Sequence, residues 1–196
     1  MENDFIVNDD FLSQQDFETI RNEITTTEFQ WSFSQYVDSP NEEPTPGQFV
    51  HTAYYGSAPC SDFYNQLAPI LERRLNCCCL YRIKLNLQPR LPEPFTYMFH
   101  SDLSHDFEED VASHWTTAIL YINTNNGYTE FENGEKVNSV ANRLMIFDGL
   151  EKSTGKVYDT PCHKIMKHEV LLPNTDWVSE NHWCVPLYYH PEVELY

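Results

Sequence analysis

Phe99-His100-Ser101-Asp102, followed thirteen residues later by the apolar run Trp115-Thr-Thr-Ala-Ile-Leu-Tyr-Ile-Asn123, decides how this chain reads. A His and a carboxylate two residues apart on a strand project to the same face, because strand side chains alternate with period two. His100 and Asp102 can therefore share one metal ion. With a second His from a distant strand they would form the two-His-one-carboxylate face that holds a divalent metal and leaves positions open. An HxD pair on its own is an ordinary surface accident; its weight comes from what surrounds it.

Upstream, Tyr81, Ile83, Leu85 and Leu87 alternate with Arg82, Lys84, Asn86 and Gln88, the pattern of a half-buried strand with one solvent face. Further strands are expected at Tyr97–Ser101, Trp115–Asn123, Tyr128–Phe131, Arg143–Phe147 and His163–Leu172. Asn126-Gly127 and Asn133-Gly134 are hairpin signals, since both residue types tolerate positive φ. Ahead of these, Ser13-Gln-Gln-Asp16 opens a helix carrying Phe17, Ile20 and Ile24 on one side. A second helix is expected within Ser61–Leu75 on the stripe Phe63, Leu67, Ile70 and Leu71. Pro69 should kink it or begin a new turn, because proline lacks the amide hydrogen and crowds the preceding turn. Helices first and short strands after describe helices packed outside an antiparallel sandwich or barrel.

The order of these segments resembles the 2-oxoglutarate/Fe(II) oxygenases. It is carried by Tyr81-Arg-Ile-Lys-Leu-Asn-Leu87, Phe99-His-Ser-Asp102, Trp115 through Phe131, and Asn138-Ser-Val-Ala-Asn-Arg-Leu-Met-Ile-Phe-Asp148. The likeness spans roughly residues 5–172 and is nearest to small prolyl-4-hydroxylase-like members found in marine phage genomes. It implies a mainly β fold with N-terminal helices, a double-stranded β-helix (jelly roll, cupin-like). It also implies Fe(II) and 2-oxoglutarate as cofactors and a hydroxylase acting on a protein or small-molecule substrate. His100 and Asp102 fall on the first two iron ligands, and no catalytic residue is expected beyond the metal site. Tyr121 falls on the strand tyrosine that bonds the far carboxylate of 2-oxoglutarate.

The family then carries a stretch like Phe-Asp-x-x-x-x-His-Thr-Gly, whose His is the third ligand. This chain has Phe147-Asp-Gly-Leu-Glu-Lys-Ser-Thr-Gly155, which puts Ser153 in that place. About ten residues on, where relatives carry an Arg or Lys against the 2-oxoglutarate tail, stand His163 and Lys164. A serine hydroxyl stays protonated at neutral pH and is a weak ligand, whereas imidazole offers a nitrogen lone pair suited to iron. Two readings follow. In one, another histidine completes the site, His163 first, then His168, His182 or His190, with Tyr121 and Lys164 on the co-substrate. In the other, the barrel is catalytically silent and binds a basic protein partner through its acidic surface. His163 and Lys164 are adjacent, so only one of them can face the barrel interior.

The 196 residues are enough for one domain with a substantial core. The expected division is an oxygenase-like domain over 1–172 and an aromatic extension over 173–196, packed on the same domain. Lysine and arginine number 12 against 30 aspartates and glutamates, a formal charge of −18. Such a charge repels phosphate backbones, which disfavours a nucleic-acid partner. No apolar run reaches the length of a membrane span, and the acidic start lacks the layout of a signal peptide, so a cytoplasmic setting is expected, the host's if the gene is a phage's. The six cysteines, Cys77-Cys78-Cys79 among them, show no zinc spacing and read as reduced core residues. His51, His105 and His114 have no partner at ligand spacing and read as surface or loop residues.

Overall fold

The structure, a computed structural model, describes residues 5–36, 46–75, 80–89, 91, 93, 95–102, 115–149, 153–157 and 163–168. The expected extension over 173–196, and with it His182 and His190, lies outside them. So do His105, His114, Cys77 to Cys79 and Cys162.

Helix α1 (Gln14–Ile24) begins where the sequence says it should. The Ser13 hydroxyl oxygen accepts from the Asp16 amide at 3.1 Å and donates to the Asp16 carboxylate at 2.8 Å, satisfying an amide that has no partner within the helix. Phe17, Ile20 and Ile24 form its buried face. Helix α2 (Phe63–Leu75) is one element running through Pro69 rather than two. Pro69 lies on the exposed side of the helix, where water can satisfy the carbonyl that loses its partner.

The strands form two sheets, and every pairing is antiparallel. The larger contains β1 (Phe5–Asn8), β2 (Ser32–Ser34), β3 (Gln48–Tyr55), β4 (Ala58–Pro59), β5 (Arg82–Gln88), β7 (Thr116–Tyr121), β10 (Arg143–Asp148) and β12 (His163–His168). Its order is β1-β10-β7-β12-β5-β3-β2, with β4 paired to β3. The smaller runs β6-β11-β8-β9, made of β6 (Phe95–Thr96), β8 (Tyr128–Phe131), β9 (Lys136–Asn138) and β11 (Ser153–Val157). This is the mainly β jelly-roll architecture with helices at the N-terminal end.

Alternation along β7 divides the core in two. Ala118 and Leu120 join Ile83 and Leu85 of β5, Ala53, Leu144 and the apolar faces of both helices in one cluster. Ile119 and Tyr121 face the other way, with Phe131, Val137, Met145 and Phe147, into the space between the sheets. Because β7 is covered on both faces it is buried throughout, which explains an apolar run with few charges.

Several expectations are corrected here. The polar face of β5 does not look into solvent: Asn86 and Gln88 are only 9% and 7% exposed, because that face is turned toward the smaller sheet. Asn126-Gly127 is no hairpin, since β7 and β8 belong to different sheets. The segment is held as a crossover, with the Asn125 side chain accepting from the Gly127 amide at 2.7 Å and Ser139 N–H donating to Gly127 C=O at 3.0 Å. Asn133-Gly134 does turn the chain from β8 to β9, with Gly134 at φ +84°. The strand expected at Tyr97–Ser101 is only β6, two residues earlier, plus a single bridge at His100. His51 is not a free surface residue: it packs on Phe29 and Phe63, with its two nitrogens 2.8 Å from Gln30 O and Ser61 Oγ. Sequence reading places no strand at β3 or β11. The first is interrupted by a register shift between Thr52 and Tyr54, and the second is a polar, glycine-containing stretch that becomes a strand only between two neighbours.

Candidate metal centre

His100 and Asp102 come together. The imidazole Nε2 lies 3.6 Å from Asp102 Oδ1, and both side chains are largely withdrawn from solvent. The other nitrogen, Nδ1, is 3.0 Å from the Met98 carbonyl. A carbonyl can only accept, so Nδ1 carries a proton and donates it. In the neutral ring this leaves the Nε2 lone pair beside a carboxylate oxygen. Two acceptors so placed need a cation between them, a proton or a metal ion. A backbone carbonyl behind the distal nitrogen is also the usual way a ligand histidine is held in orientation.

The backbone around the pair is anchored from three directions. Arg82 Nη2 donates to Asp102 C=O at 2.8 Å, and Ser101 Oγ donates to Gly149 C=O at 2.9 Å. The third anchor is Ser153: His100 N–H donates to Ser153 C=O and Ser153 N–H to His100 C=O, each at 3.1 Å. In an antiparallel pair that exchanges both bonds, the two side chains leave the same face next to each other. Ser153, only 4% exposed, is therefore the neighbour of His100 inside the site.

A bulge sets this register. Thr96 pairs with Lys156 and His100 with Ser153, so four steps on one strand match three on the other. The extra residue puts both Met98 and Phe99 on the outside, at 65% and 42% exposure, and lets Tyr97 and His100 both turn inward despite their odd separation. Tyr97 reaches across to the larger sheet, donating to Gln88 Oε1 at 2.6 Å, and Gln88 Nε2 donates to Gln48 Oε1 at 3.0 Å.

Tyr121 is fully buried between the sheets, with its hydroxyl 2.7 Å from Thr129 Oγ1. Burial pushes its ionisation well above the ordinary tyrosine value, so the phenol is neutral throughout the physiological range. On β12 the register sets His163 opposite Gln88, Lys164 opposite Leu87 and His168 opposite Ala118. His163 therefore stands in the row of an inward residue. Lys164 stands opposite Leu87, on the same face of β5 as Leu85, which packs toward the helices. The polar residues Asn86, Gln88, Gln48 and Thr129 were not singled out in the sequence. For Asn86 and Gln88 the signal was the change on one face of β5 from charged Arg82 and Lys84 to uncharged carboxamides.

The donor set suits iron(II) at two positions, imidazole and carboxylate, and the Asp102 side chain is buried. The side chain beside His100 on the facing strand is the Ser153 hydroxyl. Among the described residues there is no cluster of three His, Cys, Asp or Glu side chains able to hold a metal by themselves.

No protein-family model and no curated protein sequence matches this chain. Solved structures do. A Pseudomonas putida prolyl-4-hydroxylase covers 88% of this chain and 95% of its own, at 15% identity and a TM-score of 0.50. A prolyl hydroxylase from Trichoplax adhaerens, solved with a hypoxia inducible factor peptide fragment, covers 86% and 84% at 12% identity and a TM-score of 0.55. A Burkholderia pseudomallei oxidoreductase of the 2-oxoglutarate/Fe(II) oxygenase family covers 88% and 89% at 7% identity and a TM-score of 0.54. The fold is that of the 2-oxoglutarate/Fe(II) oxygenases. At these identities the likeness is one of fold. Within that oxygenase fold His100, Asp102 and Ser153 converge between the two sheets, whereas His163 and Lys164 lie on β12 in alternate rows. No helix among the described residues is long and apolar enough to cross a membrane.

Proposed function

We propose that this protein is a hydroxylase-type oxygenase dependent on Fe(II) and a 2-oxo acid, with the metal held by His100 and Asp102 and with Ser153 at the third protein position. The observation that carries this reading is the orientation of His100: Nδ1 is committed to Met98 C=O, so the free lone pair at Nε2 points to Asp102. When bound, the metal and its 2-oxo acid supply the activation of dioxygen. The chain's own part is to hold two ligands on a bulged, triply anchored strand, to keep the Tyr121 phenol protonated, and to exclude water with the apolar layer of Phe131 and Phe147. The substrate is a protein side chain or a small molecule. A phage source and a cytoplasmic setting go with the sequence resemblance and belong to this proposal.

Anaerobic titration with Fe(II) and 2-oxoglutarate, watching for the visible charge-transfer band, tests the reading in the unmodified chain and in Ser153→His. A band in the unmodified chain supports it, and its survival in His163→Ala would exclude His163 as third ligand. No band in either protein would overturn it.

The acidic surface favours a second reading. At −18 the chain is suited to a basic protein partner, with the barrel as a silent scaffold. That reading requires a partner whose capture weakens steeply with salt and does not change on His100→Ala.

A further inference from the structure

Two ties between the sheets mark one row through the space that separates them. At one end the rings of Phe147 and Phe131 meet edge to face, with centroids 5.2 Å apart. At the other, Arg82 Nη2 reaches the Asp102 carbonyl at 2.8 Å. In the smaller sheet the residues between these ties are Ser153, opposite Phe131, and His100, opposite Ser153. In the larger sheet Phe147 stands opposite Thr117. Lys167 joins Ile119 of β7 to Lys84 of β5, so Thr117 and Arg82, two residues earlier on those strands, also share a row. Thr117 therefore lies across the interior from Ser153 and His100.

Alternation turns its side chain that way. Ala118 packs on the helix side of β7 and Ile119 between the sheets, so Thr117 faces inward with Ile119. It is fully buried, and its Oγ1 has no hydrogen-bond partner among the described residues. A buried hydroxyl left so is costly, and in a folded protein such a group points to a water, an ion or a ligand that completes it. Its row neighbour Phe147 and its strand neighbour Ile119 offer nothing polar; the group of His100, Asp102 and Ser153 does.

A metal held by His100 and Asp102 would bring the missing partner. A serine hydroxyl is shorter than an imidazole, and one water molecule makes up about the difference. A water bound to a cation has both hydrogens to donate, and the hydroxyls of Ser153 and Thr117 can each accept one. With the metal this makes about three polar partners, the usual number for a buried water.

We propose that Thr117 and Ser153, from facing sheets, hold a metal-bound water in the place that an imidazole at position 153 would take. Thr117 is a positioning residue, acting on the metal through the water. The inference rests on the oxygenase reading above and says how its third protein position is completed.

The test is anaerobic calorimetry of Fe(II) alone on the full chain. Thr117→Val keeps the shape and removes the hydroxyl; it should weaken Fe(II) binding about tenfold or more, the usual effect of losing a residue that orients a ligand. Thr117→Ser keeps the hydroxyl and should bind like the unmodified chain. Metal-free Thr117→Val should unfold at the same temperature or higher, because an unpaired buried polar group is gone. In Ser153→His, where the imidazole replaces the water, adding Thr117→Val should cost no affinity. Equal Fe(II) binding by the unmodified chain and Thr117→Val overturns the proposal, and so does an undiminished loss in the Ser153→His background. If Ser153→His binds Fe(II) and the unmodified chain does not, the proposal fails and the oxygenase reading stands. If neither binds, both fail. Should Ser153→His not fold, Thr117→Val against Thr117→Ser decides the matter in the otherwise unmodified chain.

Discussion

His100 and Ser153 form a mutual backbone pair, each amide donating to the other's carbonyl at 3.1 Å. Ser153 is therefore the cross-strand neighbour of His100. A side chain placed at 153 emerges beside the His100 imidazole and on the same face.

Ser153→His should raise Fe(II) affinity by about tenfold or more, since a missing nitrogen donor is returned next to the other two ligands. The larger ring enters a buried position, so a stability loss of about 1–3 kcal/mol is expected alongside. Anaerobic metal titration and urea unfolding measure the two effects separately. Unchanged affinity would mean that position 153 does not face the metal.

Asn142 holds the N-terminal segment to the sheet. It sits at φ +63°, its Oδ1 accepts from Leu12 N–H at 3.0 Å, and its Nδ2 donates to Leu12 C=O at 2.9 Å. Asn142→Ala loses both buried bonds and strains the left-handed backbone, which should cost about 2–4 kcal/mol in urea unfolding. Asn142→Gly loses the same two bonds but relieves the backbone strain, and should recover about 1 kcal/mol of that loss. Equal losses in the two variants would show that the backbone conformation contributes nothing.

Arg143 grips Asp9 through two nitrogens, with Nη2 to Oδ2 at 2.9 Å, and this hydrogen bonding holds the Asp9 carboxyl below its usual range. A depressed folded-state value contributes stability that is present above the unfolded value of about 3.9 and lost as pH falls through the folded one. The stability difference between the unmodified chain and Asp9→Asn should be flat from neutral pH to about pH 5 and shrink below about pH 4. Because Asp9 is exposed, the whole effect should also fade in high salt. A difference that persists into acid would rule out the ion pair as its source.

Tyr97 gives the opposite, alkaline signature. Burial raises its folded-state value to about 12, above an unfolded value of about 10. Its contribution is full below pH ~10 and is lost as pH rises toward the folded value. Unfolding by urea at stepped alkaline pH should show stability falling over that window, less steeply in Tyr97→Phe. Tyr97→Phe should also loosen the bulge that turns His100 inward, lowering Fe(II) affinity as well as stability.

Local patterns carry the elements whose neighbours are implied by their own chemistry. Ser13 to Asp16 announces the start of α1 because a cap acts within one turn, and Phe17, Ile20 and Ile24 name the face it buries. Trp115–Asn123 reads as a strand from its apolar run, and the fold then shows Thr116–Tyr121 covered on both sides. The pairing of His100 with Asp102 rests on the expectation of a strand; they do come together at 3.6 Å, but with His100 in a single bridge and Asp102 in a turn.

What the amino-acid order determined by itself, then, was the two helices, the main buried strands and a mainly β class with helices outside it, all governed by contacts within a few residues or by a repeating period; the jelly roll came from the resemblance. Only the tertiary structure decided that Asn86 and Gln88 are buried rather than wet, that Asn126-Gly127 crosses between sheets, and that Ser153 lies against His100. Each of these depends on which sheet covers which face and on a one-residue bulge after β6. A period-two pattern names two faces of a strand but not which is inside, and a single inserted residue exchanges them.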